Sequence, residues 1–281
     1  MEDSQRADLA SAAATGFNRF DISDADFNQR QRIAQDLRAV GVKPGGVLLV
    51  HSSLKSLGPV PDGAETVVQG LLEALGPDGT LLMPALSYAR VTPEQPLFDV
   101  RLTPSNVGAL PEYFRARPGT LRSVHPTHSV CGVGRLAAAL LDRHIENRTP
   151  CGPRSPFHLL PEYDGQILML GCGLRPNTLM HAVEEMVEPP YLFAGTLAYR
   201  LVGWDWGVTE AVYRVHGFRG WQQRYDRVAE VLDGPSLRRG RVLAADIDLI
   251  EAAAMWKAAL AALRRDPLYF VDRREPADER S

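Results

Sequence analysis

Residues 47–84 read VLLVHSSLKSLGPVPDGAETVVQGLLEALGPDGTLLMP, and this stretch decides the fold class. The run Val47-Leu48-Leu49-Val50 is short and wholly apolar, as a buried strand is, and it ends in His51-Ser52-Ser53. Residues 64–75 carry Val67, Val68, Leu71, Leu72 and Leu75 on one helical face, and Gly76 stops the pattern. Residues 79–84 then read as the next strand. Strand, helix and strand with short links predict a parallel crossover unit, and so an α/β sheet.

Working outward, residues 28–40 place Ile33, Leu37 and Val40 at helical spacing, with Gly41 just past the end. Residues 1–25 read as a loose lead-in. Residues 85–106 show no period and contain three prolines, and so long a loop in a compact domain is usually functional. Helices are predicted over 107–117 and 134–145, with a partly extended run over 121–131. Residues 166–170 form another buried strand, which enters Gly171-Cys172-Gly173 and a helix over 176–187. The tract 191–218 suggests antiparallel strands. A long helix is predicted over 248–264, with Ile250, Ala254, Ala258 and Ala261 on its inner face, before a polar, mobile tail at 272–281. No repeat or linker divides the chain, so residues 1–281 are expected to form one domain with insertions.

The composition sets limits on function. The chain has 281 residues, 45% of them hydrophobic and 23% charged, which excludes wholesale disorder. Lys and Arg number 31 against 34 Asp and Glu, so nucleic acid is not an expected partner, and a cationic small molecule is tolerated. No stretch of about 20 apolar residues predicts a membrane span. The N-terminus lacks the apolar run of a signal peptide, and the three cysteines are odd in number and widely spaced. The expectation is a reduced, cytoplasmic protein.

Two candidate sites follow strands. In Pro176-Asn177-Thr178-Leu179-Met180-His181-Ala182-Val183-Glu184-Glu185, Thr178, His181 and Glu184 or Glu185 share a helical face. A His one turn from a carboxylate is an oriented general base, and a helix N-terminus opposes its protonation; a surface His–Glu pair has the same spacing. His51-Ser52-Ser53-Leu54-Lys55-Ser56 offers hydroxyls and a cation for phosphate, or serines that cap helices. His125, His128 and Cys131 imitate ligand spacing, but Pro126 breaks the helix that would align them, and no metal is expected. Gly132-Val133-Gly134 reads as a turn, because the acidic partner of a dinucleotide fingerprint is missing. No G-x-S-x-G elbow is present. Trp204 and Trp206 read as packing residues.

In this order, the pieces resemble the aminoglycoside N3-acetyltransferase family. The resemblance rests on His51-Ser-Ser-Leu54, Gly63-Ala-Glu65, Gly79-Thr-Leu-Leu-Met-Pro84, Phe98-Asp99, Gly108-Ala-Leu-Pro-Glu112 and Phe114-Arg115. It continues through Arg122-Ser-Val-His-Pro126 with Ser129, Gly152-Pro-Arg-Ser-Pro156, Gly171, Asn177-Thr178, His181 and Glu184. It is close over about residues 28–190 and loose beyond.

The resemblance implies an α/β/α sandwich with a mixed sheet, distinct from the GNAT fold. It implies acetyl transfer from acetyl-CoA to the 3-amine of a 2-deoxystreptamine aminoglycoside. His181 is then the base, Glu184 orients its ring, and the Thr178 hydroxyl is a candidate donor to the tetrahedral oxyanion. A thiolate leaves readily, so direct transfer through a ternary complex is expected, by a monomer or homodimer. By the same resemblance Ser52, Ser53, Leu54, Arg122, Ser123, Ser129 and Ser155 meet coenzyme A. Asp99 and Glu112 match family positions that would hold the cationic acceptor, with Glu185 adjacent and Tyr88 on the loop that walls the site. Another amine as acceptor, or a catalytically dead binding protein, are the alternatives.

Overall fold

A computed structural model describes residues 24–274. Most of the expected lead-in, and residues 275–281 of the expected tail, lie outside that range. Helix α1 (Asp24–Val40) comes first, followed by strand β1 (Val47–Ser52), helix α2 (Ala64–Leu75) and strand β2 (Thr80–Pro84). The loop beyond contains a short strand, β3 (Leu97–Asp99). Next come α3 (Ala109–Ala116), β4 (Leu121–Arg122), β5 (Val130–Gly134), α4 (Ala137–Leu141) and α5 (Pro156–Leu159). β6 (Gln166–Leu170) leads to α6 (Leu179–Glu185) and the hairpin of β7 (Phe193–Val202) and β8 (Val208–His216). The chain ends through β9 (Trp221–Gln223), α7 (Val228–Val231), β10 (Leu237–Val242), β11 (Ala245–Glu251), α8 (Ala252–Arg265) and β12 (Val271–Arg273).

The main sheet has seven strands in the order β10-β11-β6-β1-β2-β5-β4. β1 is parallel to β2, as the crossover reading predicts, and also to β6, while the outer pairs are antiparallel. Along β1, Val47 and Leu49 enter one core while Leu48 and Val50 enter the other. β6 alternates the same way, with Ile167 and Met169 against Leu168 and Leu170. Apolar residues on both faces demand helices on both faces. Ile33 and Leu37 of α1, Val68 and Leu71 of α2 and Phe114 of α3 cover one side. Leu140 of α4, Phe157 of α5, Met180 of α6 and Met255 of α8 cover the other. The result is the expected α/β/α sandwich with a mixed sheet. Among the described residues no helix is long and apolar enough to cross a membrane.

Three expectations need correction. Residues 248–251 are strand, and α8 starts at Ala252 with Ala252, Met255, Ala259, Ala262 and Leu263 turned inward. Alanines on every side of this helix blur its period, so the sequence pattern points to a face one residue away from the buried one and draws Ile250 into the helix. The tail does not begin at 272: Asp272 and Arg273 pair with β9, and Asp272 bridges Arg224 and Arg227. Trp204 and Trp206 sit in the exposed β7–β8 turn, where the Trp204 indole N–H donates to the Arg122 carbonyl and Arg101 lies over the Trp206 ring.

The long loop after β2 is held from beneath by one side chain. Arg122 is 3% exposed. It donates to the carbonyls of Ala85, Val100 and Thr103 and to Ser129 Oγ, and it lies over the Phe98 ring. Burial lowers its pKa to about 10, so it stays charged at neutral pH. Replacing it by Met leaves the Val100 and Thr103 carbonyls without that donor, at about 1–3 kcal/mol each, while Ala85 keeps the Ser129 hydroxyl. Arg122→Met is expected to lose at least about 2 kcal/mol in urea unfolding. A loss under about 1 kcal/mol would show that the loop is held by something else.

Candidate active site

A cavity of about 520 Å³ opens at the carboxyl ends of the three parallel strands. Its wall takes His51 and Ser52 from the end of β1, Pro84 from β2, and residues 175–178 with His181 from the segment after β6. This is where an open α/β sheet holds ligands. Gly171 makes the sharp exit from β6 with a positive φ of 69°, and a Cβ there would lie 2.6 Å from Ser56 Cβ. The helix that follows is shorter than predicted, because the Asn177 side chain, not a preceding turn, accepts the Leu179 N–H.

His181 Nδ1 lies 3.0 Å from Glu184 Oε2. Glu184 is fully buried, and its two oxygens also accept from Tyr191 Oη at 2.8 Å and Tyr225 Oη at 2.7 Å. Burial first, and the Glu184 charge next, push both phenols far above their ordinary range, so they remain donors. Tyr225 Oη is also 2.9 Å from His181 Nδ1. The single Tyr225 proton is spent on the carboxylate, so that contact needs a proton on Nδ1. The lone pair of His181 therefore sits on Nε2. The arrangement is a tautomer-locked base on a cavity wall, a geometry for taking a proton from a bound ligand.

Thr178 N donates to His51 Nε2 at 3.0 Å, and Thr178 Oγ1 lies 3.2 Å from the same nitrogen. This joins the end of β1 to the start of α6. Burial, then the neighbouring His181, lower the His51 pKa to about 3, so its ring is neutral. Its Nδ1 and the Ser52 Oγ are buried with no partner among the described residues.

The chain is matched over residues 49–264 by the family model described as aminoglycoside 3-N-acetyltransferase. Aminoglycoside N(3)-acetyltransferase IX of Micromonospora chalcea is 30% identical over 259 residues, covering 82% of this chain and 92% of that protein. Aminoglycoside N(3)-acetyltransferase IV of Salmonella sp is 33% identical, over 86% of this chain and 90% of the relative. The solved apoenzyme AAC(3)-IVa superimposes with a TM-score of 0.72 at 30% identity, covering 86% and 90% of the two chains. AAC-IIIb, solved with CoASH, gives 0.75 at 28%, covering 84% and 96%. The chain belongs to the aminoglycoside 3-N-acetyltransferase family. It is thus an acetyltransferase.

Within this acetyltransferase the predicted site residues divide sharply. His181, Thr178, Ser52 and Tyr88 line the cavity, with Glu184 directly behind His181. Ser53 and Leu54 do not: Ser53 Oγ is 2.8 Å from Ser56 Oγ, and Leu54 packs on the core. Arg122 and Ser129 hold the long loop, with Ser129 Oγ donating to the Ala85 carbonyl. Ser123 Oγ lies 2.9 Å from His144 Nδ1 and accepts the Val130 N–H, while Ser155 caps α5 by accepting the His158 N–H. These groups are buried and already satisfied, so their polarity answers to the protein itself.

The residues expected to hold the acceptor are also engaged elsewhere. Asp99 accepts the Arg101 and Leu102 N–H groups and pairs with Arg101, and Glu112 pairs with Arg115 and accepts the Ser105 N–H. Glu185 faces away from the cavity, accepting from the Cys151 N–H and from His216 Nε2. Burial pushes its carboxyl above the usual carboxylate range. No carboxylate lines the cavity among the described residues, whereas Arg175 and Arg274 do.

Sequence reading misses Tyr191, Tyr225 and His216. His125 Nδ1 accepts the Thr127 and His128 N–H groups, which makes it a turn anchor, and Cys131 lies in the core on the other face of the sheet. Their ligand-like spacing with His128 is thus coincidental.

Burial depresses the pKa of six histidines: His51 to about 3, His144 to about 4, His125, His128 and His216 well below 6.5, and the half-buried His158 below it. In the unfolded chain each titrates near 6.5. Below that pH the unfolded state binds more protons, so stability is full above about pH 7 and falls as pH drops. Each group contributes at most about 1.4 kcal/mol per pH unit. The melting temperature is expected to fall steeply between about pH 6.5 and 4.5. A melting temperature flat across that window would contradict neutral burial of these rings.

Proposed function

We propose that the protein transfers the acetyl group of acetyl-CoA directly to the 3-amine of a 2-deoxystreptamine aminoglycoside, with His181 as general base. The observation that carries the reading is the locked His181 ring, whose Nδ1 is engaged by Glu184 and whose Nε2 is left for the cavity. A relative solved with CoASH and another solved with a gentamicin support the two substrates. An ammonium has no lone pair, so transfer requires a neutral acceptor for its proton. The ammonium first yields one proton to solvent, and His181 Nε2 takes a second from the amine nitrogen as it attacks the thioester carbon. Glu184 steadies the imidazolium so formed, and the Thr178 hydroxyl donates to the developing oxyanion. The carbon–sulfur bond then breaks, and the proton passes from His181 to the departing thiolate or to solvent. No covalent enzyme intermediate is needed. Arg274, and Arg175 whose other partner is Asp226, offer positive charge suited to the phosphates of the cofactor.

His181→Ala is expected to lower kcat by about 10²–10⁴-fold in a thiol-release assay, with acetyl-CoA affinity little changed. Undiminished turnover by the folded variant would remove His181 from the mechanism.

A second reading has its own support. A polycation is normally held by carboxylates, and none lines this cavity among the described residues. That favours an amine of lower charge as the acceptor for the same chemistry. Acetyl-CoA, aminoglycosides and simple amines assayed side by side separate the two. NMR of the aminoglycoside product is expected to show acetylation at the 3-amine. Acetylation of simple amines alone would select the second reading.

A further inference from the structure

Three imidazoles from three distant parts of the chain meet at the cavity. His128 precedes β5, His181 lies on α6 and His216 ends β8. Their ring centroids are separated by 5.8 Å (His128–His181), 5.3 Å (His128–His216) and 4.9 Å (His181–His216). One ring nitrogen from each lies within 4.8 Å of the other two.

Each ring also holds one nitrogen in a hydrogen bond outside the trio. His181 Nδ1 is tied to Glu184 Oε2, His216 Nε2 to Glu185 Oε1 at 2.9 Å, and His128 Nδ1 to Thr127 Oγ1 at 2.8 Å. This leaves His181 Nε2, His128 Nε2 and His216 Nδ1. His216 Nδ1 is a buried polar atom with no partner among the described residues, on a side chain only 6% exposed. An orphaned buried nitrogen is costly and calls for a ligand.

We propose that His128, His181 and His216 bind a zinc ion, which reversibly inhibits the enzyme by occupying the lone pair of its base. Three imidazoles with an open fourth position suit zinc, a cation that prefers nitrogen. Magnesium and calcium need oxygen ligands, and this trio supplies none. Two of the rings donate outward to carboxylates, the arrangement that orients a metal-bound histidine and raises its basicity. Zinc–nitrogen bonds of about 2.0–2.1 Å place tetrahedral nitrogens about 3.4 Å apart, so the rings close by about 1 Å on the ion. The inhibitory half of this inference rests on the base role of His181; the binding half does not.

The test uses the full chain with cobalt(II) as a spectroscopic stand-in for zinc. An intense tetrahedral d–d spectrum is expected at one cobalt per chain, displaced by zinc and untouched by magnesium. His216→Gln and His128→Gln are each expected to weaken cobalt binding by more than about 100-fold, beyond the 10–100-fold typical of losing an outer partner. Circular dichroism checks that each variant is folded. Should either fail to fold, anomalous scattering at the zinc edge from wild-type crystals grown with zinc takes its place, with a peak expected between the three rings. An octahedral spectrum, binding unchanged in the folded variants, or an anomalous map with no peak there overturns the site. Acetylated product is measured by mass spectrometry, since zinc binds the released thiol. Saturating zinc is expected to lower turnover by at least about 10-fold, with recovery on chelation. Zinc bound at the three rings with turnover intact would overturn the inhibitory half and the base role, while the binding site stood. No bound zinc would overturn the site and leave the base role untouched.

Discussion

A carboxylate with no exposure to water is the constraint from which the rest of the site follows. Burying the Glu184 charge is tolerable only if donors surround it, and they come from three places: His181 on its own helix, Tyr191 beyond that helix and Tyr225 after β9. Docking the tract beyond residue 190 onto α6 therefore has an electrostatic reason besides an apolar one. The same contacts lock the tautomer of His181. A tyrosine whose single proton is already committed can only accept, and so it fixes a proton on Nδ1. Stability and reactivity of the site are two consequences of one buried charge.

Topology explains why this happens at one end of the sheet. β1 lies between its parallel neighbours β6 and β2; the helix after β1 covers one face and the helix after β6 the other, and a crevice opens where such connections diverge. The end of β1 delivers His51, which accepts the Thr178 N–H at the start of α6. That bond makes the strand and the helix a single rigid wall. The long loop after β2 forms the facing wall and is held by the Arg122 guanidinium through three of its carbonyls. An isolated loop of that length would carry unsatisfied backbone groups; one buried cation with five donors supplies what a sheet ladder otherwise would.

What the sequence makes legible is what is local. β1, α2, β2 and β6 follow from short apolar runs and a clear helical period, and the parallel pairing of β1 with β2 follows from link length. The His181–Glu184 pair is legible because three residues on a helix bring side chains together. Tyr225 stands 41 residues from Glu184 in the chain, and no periodic signal connects them. His216 gives no signal either, as one polar residue ending a strand. Ser123, Ser129, Ser155 and Arg122 lie away from the cavity lining for a different reason. Hydroxyls and guanidinium groups serve buried backbone as readily as phosphate, and only burial tells the two uses apart. Ser155 caps α5, Ser123 links His144 to β5, and Arg122 holds the loop.

Charge separates the site from simple expectation. The carboxylates that would greet a polycation are already neutralised in pairs, Asp99 by Arg101 and Glu112 by Arg115, while Glu185 is turned inward to His216. What faces the cavity is imidazole, aromatic surface and two arginines. An arginine-rimmed cavity attracts the anionic cofactor and repels a cation that arrives alone. In the proposed reaction this implies a direction for assembly: phosphates bound first would lower the local positive potential, after which an ammonium could approach His181. The neutral histidines work the same way, because a ring that resists protonation adds no further repulsion to the approaching amine.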